Sequence, residues 1–174
     1  NVQSSEKEKF DGVMLDIEPY ISDSWKENPE EYMDRYISCM KKGYKFAQKN
    51  HLRTAICIPR HYDNQGLTSG LEELIKETCD EVAVMNYSCG NEIEAIRTEA
   101  ALSEKYGKEL HCILEFQEVG KHGLTENKTY RNKGIDNAKE TWEKLQKEYK
   151  NINVTRDYHW SRPVREMLEE KNAD

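Results

Sequence analysis

Short apolar runs alternate with longer amphipathic runs along the chain. The short runs are rich in Val, Ile, Leu and Cys, which is typical of strands buried in a parallel sheet. They predict strands at Val13–Glu18, Arg53–Pro59, Glu81–Ser88, His111–Phe116 and Ile152–Trp160. The longer runs repeat apolar residues every three or four positions, the period of an α-helix. They predict helices at Pro29–Asn50, Leu71–Cys79, Glu92–Tyr106, Asp136–Tyr149 and Val164–Lys171.

Repeated strand–helix units predict an α/β fold with a parallel sheet and crossover helices. A doubly wound sheet and a (β/α)8 TIM barrel both have this order. No Gly-rich phosphate loop follows a predicted strand, whereas a nucleotide-binding sheet usually has one. Polar residues end each predicted strand instead, and barrel enzymes place their chemistry there. We therefore predict part of a TIM barrel, as a single domain over residues 1–174.

Five strand–helix units are fewer than the eight that close a barrel. Either the chain is the later part of a longer barrel, or its units assemble with a second copy. We favour the first interpretation, in which residues 1–9 are a linker or the tail of a preceding helix. The stretch Gly120–Gly134, rich in Lys, Asn and Gly, predicts a flexible loop.

Composition narrows the classes of partner. The 174 residues carry a net charge of −7, which argues against a general nucleic-acid binder and is compatible with a neutral substrate such as a sugar. No apolar run approaches the length of a membrane span. The five cysteines contain no C-x-x-C pair, so they support neither a disulfide framework nor a zinc site, and Cys57 and Cys112 are expected to be buried thiols. No cofactor is expected. The compartment stays open, and a secreted or cell-surface location is compatible with the sequence.

The stretch Phe10–Tyr20 carries the strongest chemical signal. It predicts a buried strand with Met14, Asp16 and Glu18 on one side and two carboxylates at its C-terminal end. Buried carboxylates are usually paired, hydrogen-bonded or functional. Neighbouring carboxyl groups can push their pKa values apart, which suits one of them to donate a proton near neutral pH. We predict Glu18 as the general acid and Asp16 as the residue that orients it.

Further candidate residues follow the other predicted strands. Glu115 would be a nucleophile if it faces Glu18 across about 5 Å, the carboxylate spacing of retaining glycosidases. A phenol at Tyr87 would hydrogen-bond a developing charge or a substrate carbonyl. The flat faces of Trp160 and Tyr20 suit stacking on a sugar. Two more residues are candidates for substrate binding, namely Asn86 and His61.

The stretch Phe10–Glu18 resembles the signature of glycoside hydrolase family 18, the chitinases and endo-N-acetylglucosaminidases. Asp11, Gly12, Asp16 and Glu18 match that signature, and Met14 replaces its first alternating acid. Met85-Asn86-Tyr87-Ser88 is similar to the family's sixth-strand Met-x-Tyr-Asp, with Ser88 in place of Asp. The resemblance implies that the chain comprises strands four to eight of the barrel and that Trp160 forms the floor of the sugar site. It also implies that the sugar's own acetamide is the attacking group.

A second resemblance concerns the large barrel clan of retaining glycosidases. Ile17-Glu18-Pro19 followed by Glu115 is similar to that clan's Asn-Glu-Pro and its later nucleophilic Glu, although no Asn precedes Glu18. Both resemblances imply Glu18 as the proton donor, and they differ on which group attacks.

The sequence thus predicts a glycoside hydrolase that acts on an N-acetylhexosamine-containing glycan. Two rival functions stay open. One is a carbohydrate-binding protein that kept the barrel and lost catalysis, which the replacements at Met14 and Ser88 favour. The other is a metal-dependent barrel enzyme, with Asp16, Glu18, Glu115 and His159 as ligands.

Overall fold

The computed structural model describes residues 4–173 and has an α/β fold. Its strands are β1 (Gly12–Asp16), β2 (Arg53–Pro59), β3 (Glu81–Met85), β4 (Glu109–Glu115) and β5 (Val154–His159). Its α-helices are α1 (Asp23–Glu27), α2 (Pro29–Lys49), α3 (Thr68–Thr78), α4 (Glu92–Ala95), α5 (Arg97–Tyr106), α6 (Ile135–Glu148) and α7 (Ser161–Ala173). Short 3-10 helices occupy Glu6–Glu8, Pro19–Ile21, Asp63–Gln65 and Lys121–Gly123.

The strands form one five-stranded sheet in chain order, β1-β2-β3-β4-β5. β1 pairs with β2 in parallel with Gly12 opposite Arg53, and β4 pairs with β5 in parallel with Glu115 opposite His159. The predicted α/β class with a parallel sheet is therefore confirmed. The chain contains two compact units, Asn1–Val82 and Ala83–Asp174. That the two units form a single domain stays a prediction. The predicted linker over residues 1–9 lies partly outside the described residues.

In the first unit, α2 begins where the sequence predicts. Pro29 occupies the first turn, where its missing N–H costs no hydrogen bond. Asn28 caps the helix because its side-chain oxygen accepts from the backbone N–H of Glu31, and its amide donates to the Glu31 carboxylate. The residues that this helix buries repeat at three- and four-residue spacing, as predicted; they are Met33, Tyr36, Ile37, Met40 and Ala47.

β1 is not the buried strand that the sequence predicts. The side chains of Val13, Met14 and Ile17 are 36%, 51% and 43% exposed. β2, in contrast, is buried from Thr54 to Pro59. The difference follows from position, because among residues 4–173 β1 is the end strand of the sheet and has a neighbouring strand along one edge only. An apolar run therefore predicted the strand correctly but not its burial.

In the second unit, α6 packs its apolar stripe inward. Ala138, Trp142 and Leu145 are buried, and the Trp142 indole N–H donates to the carbonyl of Cys112 on β4 at 3.0 Å. Cys112 is itself buried, as is Cys57 in the first unit, both as predicted.

The single helix predicted over Glu92–Tyr106 is wrong. Ile96, at φ −126° and ψ 19°, separates α4 from α5. Continuous amphipathic spacing cannot reveal such a backbone break. α5 does end at Gly107, whose φ of 63° is the left-handed conformation that glycine adopts readily.

Gly70 and Gly43 offer a matched test of the packing between α2 and α3. A Cβ at Gly70 would lie 2.5 Å from Cγ of buried Met33, whereas a Cβ at Gly43 would meet only Leu15 Cδ1 at 3.9 Å. We expect Gly70→Ala to lower the free energy of unfolding by about 1–3 kcal/mol through overpacking. Gly43→Ala should raise it by up to about 1 kcal/mol through helix propensity. Chemical denaturation followed by circular dichroism measures both, and equal effects would contradict this packing.

Candidate functional site

Glu18 lies just beyond the C-terminal end of β1. The strand ends at Asp16, and Glu18 precedes the 3-10 helix Pro19–Ile21 with a backbone φ of −108° and ψ of 72°. The prediction that Met14, Asp16 and Glu18 share one strand face is therefore wrong for Glu18, because the chain has left the extended conformation there. Asp16 is exposed, and within residues 4–173 it makes no hydrogen bond to Glu18.

Tyr20 holds the Glu18 carboxylate in place of Asp16. The Tyr20 hydroxyl donates to Glu18 Oε1 at 2.7 Å. Burial raises the pKa of Tyr20 well above its ordinary value, and the hydrogen bond and negative charge of Glu18 raise it further. The phenol therefore stays protonated and remains a donor at physiological pH. The sequence predicted Tyr20 as a sugar-stacking residue and did not predict this bond.

An aromatic cluster, formed by Tyr20, Trp25, His61 and Tyr62, lies beside Glu18. The Tyr20 ring meets His61 edge-on at 5.2 Å and Tyr62 at 6.1 Å, and Tyr62 packs on Trp25 at 5.5 Å. Tyr62 and Trp25 are buried, whereas Tyr20 and His61 are half-buried. Burial lowers the pKa of His61, as does the charge of Arg60, so its ring is neutral at pH 7. Sequence reasoning missed Tyr62, although it directly follows the candidate His61.

Glu115 is a buried carboxylate of the second unit that accepts several hydrogen bonds. It ends β4 and is 2% exposed. Its Oε1 accepts the backbone N–H groups of Phe116 and Gln117, each at 2.8 Å. Its Oε2 accepts from the Gln117 amide at 3.2 Å and lies 2.9 Å from Nδ1 of His159.

The hydrogen bonds to Glu115 affect its pKa more strongly than its burial does. Burial alone would raise its pKa, but hydrogen bonds from His159 and from the Gln117 backbone, together with the positive charge that His159 carries when protonated, lower the pKa below the ordinary glutamate value. Glu115 is therefore ionised at neutral pH. The sequence predicted a role for Glu115 but did not predict that Gln117 binds it. The available signal for Gln117 was its position two residues after Glu115.

Two more predicted residues lie near His159. The Tyr87 ring is 6.0 Å from the His159 ring with an interplanar angle of 31°. Trp160 directly follows β5 and is 45% exposed, and its stacking on a sugar stays a prediction. It lines a groove of about 310 Å³, together with Gln117, Glu118, Lys121, Arg131, Arg162, Pro163 and Glu166.

Asn86 occupies a structural position. It is 1% exposed, and its amide donates to the carbonyl of Glu92 at 2.9 Å. Glu92 in turn accepts from the Gly90 backbone and from the Tyr130 hydroxyl, which also contacts Thr141. These contacts tie the start of α4 to α6 and favour a structural role for Asn86 over sugar binding.

The structure brings the candidates together in two groups. Glu18, Tyr20 and His61 meet in the first unit, and Glu115, His159 and Tyr87 meet in the second. Trp160 follows His159 in the chain and lines the groove that also contains Gln117. The predicted spacing of about 5 Å between Glu18 and Glu115 stays a prediction. Over residues 4–173, no three or more His, Cys, Asp or Glu side chains are grouped so as to hold a metal ion. The described helices include none that is long and apolar enough to cross a bilayer.

Comparison with protein-family models, with curated proteins and with solved structures finds no match. The resemblance to glycoside hydrolase family 18 therefore stays a hypothesis that depends on the motif residues alone.

Glu115→Gln tests the anchoring of this carboxylate. Because the folded-state pKa is lowered, the stabilisation is present above the ordinary glutamate pKa of about 4.3 and is lost as pH falls through the folded-state value. We expect the variant to lose about 1–3 kcal/mol of unfolding free energy at pH 7, and the difference from the wild type to shrink at pH 3. Urea denaturation at both pH values measures this. Glu118→Gln, at an exposed position, is the control and should change little.

Proposed function

We propose that the protein hydrolyses a glycosidic bond, with Glu18 as the general acid, in a glycan that contains N-acetylhexosamine. One observation carries the proposal: a carboxyl group at the C-terminal end of a parallel strand is held by a phenol at 2.7 Å beside an aromatic cluster. Glycosidases need an oriented carboxylic acid to protonate the leaving oxygen. Aromatic rings with adjacent polar groups suit the amphipathic faces of a sugar.

Tyr20 gives this acid a defined geometry. Its hydroxyl occupies Glu18 Oε1, so Oε2 is the oxygen left to carry the proton that is transferred. Tyr20 is thereby a positioning residue for Glu18. His61 and Tyr62 contact the Tyr20 ring edge-on and fix its position. This assignment replaces the predicted orienting role of Asp16, which is exposed.

We also propose that the five-stranded sheet is part of a (β/α)8 barrel. The support is the apolar surface of β1, where Val13, Met14 and Leu15 have the sequence of an internal parallel strand although the strand lies at an edge. Phe10 and Ile21, which flank the strand, are 73% and 69% exposed. A further strand paired to the outer edge of β1 would cover this surface.

Glu18→Gln should lower kcat/KM for a 4-nitrophenyl chitobioside by about 10²–10⁴-fold, the usual contribution of a general acid. The loss should be much smaller with a 2,4-dinitrophenyl leaving group, because that phenolate departs without protonation. Glu30→Gln, on the exposed surface of α2, is the control and should stay within about twofold of the wild type.

Two outcomes would reject the assignment. Equal losses with both leaving groups would show that Glu18 is not the acid. Sugar binding without turnover in the wild type, unchanged in Glu18→Gln, would favour the non-catalytic carbohydrate-binding protein.

The outer edge of β1 can be tested through self-association. An open apolar edge pairs with other chains, so we expect concentration-dependent association that Met14→Lys reduces. Phe46→Lys is the matched control, since Phe46 is an apolar residue on α2 that is 70% exposed. Static light scattering measures both variants. Equal effects of the two substitutions, or a wild type that stays monomeric, would contradict pairing through β1.

A further inference from the structure

Two histidine–carboxylate pairs join β4 and β5, and they differ in which partner is buried. His111 Nδ1 lies 2.9 Å from Asp157 Oδ2, and His159 Nδ1 lies 2.9 Å from Glu115 Oε2. In the first pair the imidazole is the more buried group, since the His111 side chain is 13% exposed and that of Asp157 is 30% exposed. In the second pair the carboxylate is 2% exposed and the imidazole is 47% exposed.

The hydrogen bonds of Glu115 fix the position of the proton on His159. Glu115 is ionised, and an ionised carboxylate only accepts hydrogen bonds. Nδ1 of His159 therefore carries a hydrogen that it donates to Oε2 at 2.9 Å. The Gln117 amide nitrogen also lies 3.4 Å from this Nδ1, but it is a donor and is closer to Oε2, at 3.2 Å, to which it donates instead. In the neutral ring this leaves Nε2 as the nitrogen that accepts a proton. The carboxylate also stabilises the imidazolium that forms on protonation.

Glu115 is itself poorly placed to attack a substrate. Its two oxygens accept four contacts, from two backbone N–H groups, the Gln117 amide and His159. Nucleophilic attack would require several of these bonds to break, whereas orienting an imidazole uses them all. The half-exposed ring beside it is the group that can meet a ligand.

A groove adjoins the residues that contact this ring. Tyr87 flanks His159 at 6.0 Å, and Gln117, which contacts Glu115, also lines the groove of about 310 Å³ that contains Trp160. Glu115 on β4 is a charged group in direct contact with the ring, and the groove next to Gln117 carries the charged residues Glu118, Lys121, Arg131, Arg162 and Glu166.

We propose that Glu115 and His159 form a proton-transfer dyad, in which His159 is the catalytic residue and Glu115 positions its ring. The substrate group is a hydroxyl of a bound sugar or of water. The O–H bond breaks, the electron pair stays on oxygen, and the proton moves to Nε2 to give an imidazolium paired with Glu115. The catalytic role rests on the proposed glycosidase function, whereas the state of the dyad does not depend on it.

Nitrogen-15 NMR of the substrate-free protein tests the dyad directly. We expect the neutral His159 ring to carry its hydrogen on Nδ1, and Glu115→Gln to lower its titration midpoint by about 1 pH unit. Asp157→Asn, which removes the carboxylate of the other pair, is the matched control and should leave the His159 midpoint unchanged. A neutral wild-type ring protonated on Nε2, or equal midpoints in wild type and Glu115→Gln, would overturn the dyad. The wild-type tautomer decides the question even if the variant fails to fold.

Kinetics test the catalytic role. A general base is active in its neutral form. Without the Glu115 carboxylate, His159 stays neutral to lower pH. In Glu115→Gln the acidic limb of the kcat/KM profile for the chitobioside should therefore move to lower pH, while kcat falls. His159→Gln should lose at least about 10²-fold in kcat, and Asp157→Asn should retain the wild-type profile. Full activity in His159→Gln would overturn the catalytic role. Absence of any wild-type turnover would reject the glycosidase function and with it the catalytic role, while the NMR result would still decide the dyad.

Discussion

The hydrogen bonds that converge on Glu115 organise the C-terminal end of β4 in the second unit. Its carboxylate accepts two backbone N–H groups from the residues that follow β4, so the chain turns immediately after the strand. Its carbonyl accepts from the backbone N–H of Tyr130 at 2.7 Å. Parallel pairing places His159 opposite it on β5. A single residue therefore closes the loop after β4, joins two strands and orients a half-exposed imidazole.

This constraint changes the interpretation of the loop after β4. The sequence predicts a flexible segment over Gly120–Gly134, yet Thr129 and Tyr130 within it are 1% and 2% exposed. Thr129 donates to the carbonyl of Gln117 at 2.6 Å, and the Tyr130 hydroxyl reaches Glu92. A polar, glycine-rich composition indicates local conformational freedom. Contacts with residues distant in sequence determine how much of the loop is ordered.

The two candidate carboxylates differ in their surroundings in a way that suits different chemistry. Glu18 has one phenolic donor and aromatic neighbours, so it is oriented yet retains an oxygen for proton transfer. Glu115 has all its acceptor positions engaged and is held as an anion. A proton donor needs the first kind of environment, and a residue that orients a base needs the second. The proposed difference in role therefore depends on the surroundings of the two glutamates, because the residue type is the same.

The sequence by itself determined the order and type of the main elements, because the periods of two and of three to four residues are local properties of the chain. β2 and α2 begin at the predicted residues Arg53 and Pro29, whereas β4 begins at Glu109, two residues before the predicted start at His111. The sequence also made Glu18 and Glu115 candidate site residues, since acids near strand ends are visible in the chain. Only the tertiary structure decided that β1 lies at an edge and is exposed, that Tyr20 rather than Asp16 holds Glu18, and that His159 meets Glu115. Burial and side-chain pairing depend on neighbours distant in sequence, which local patterns do not encode.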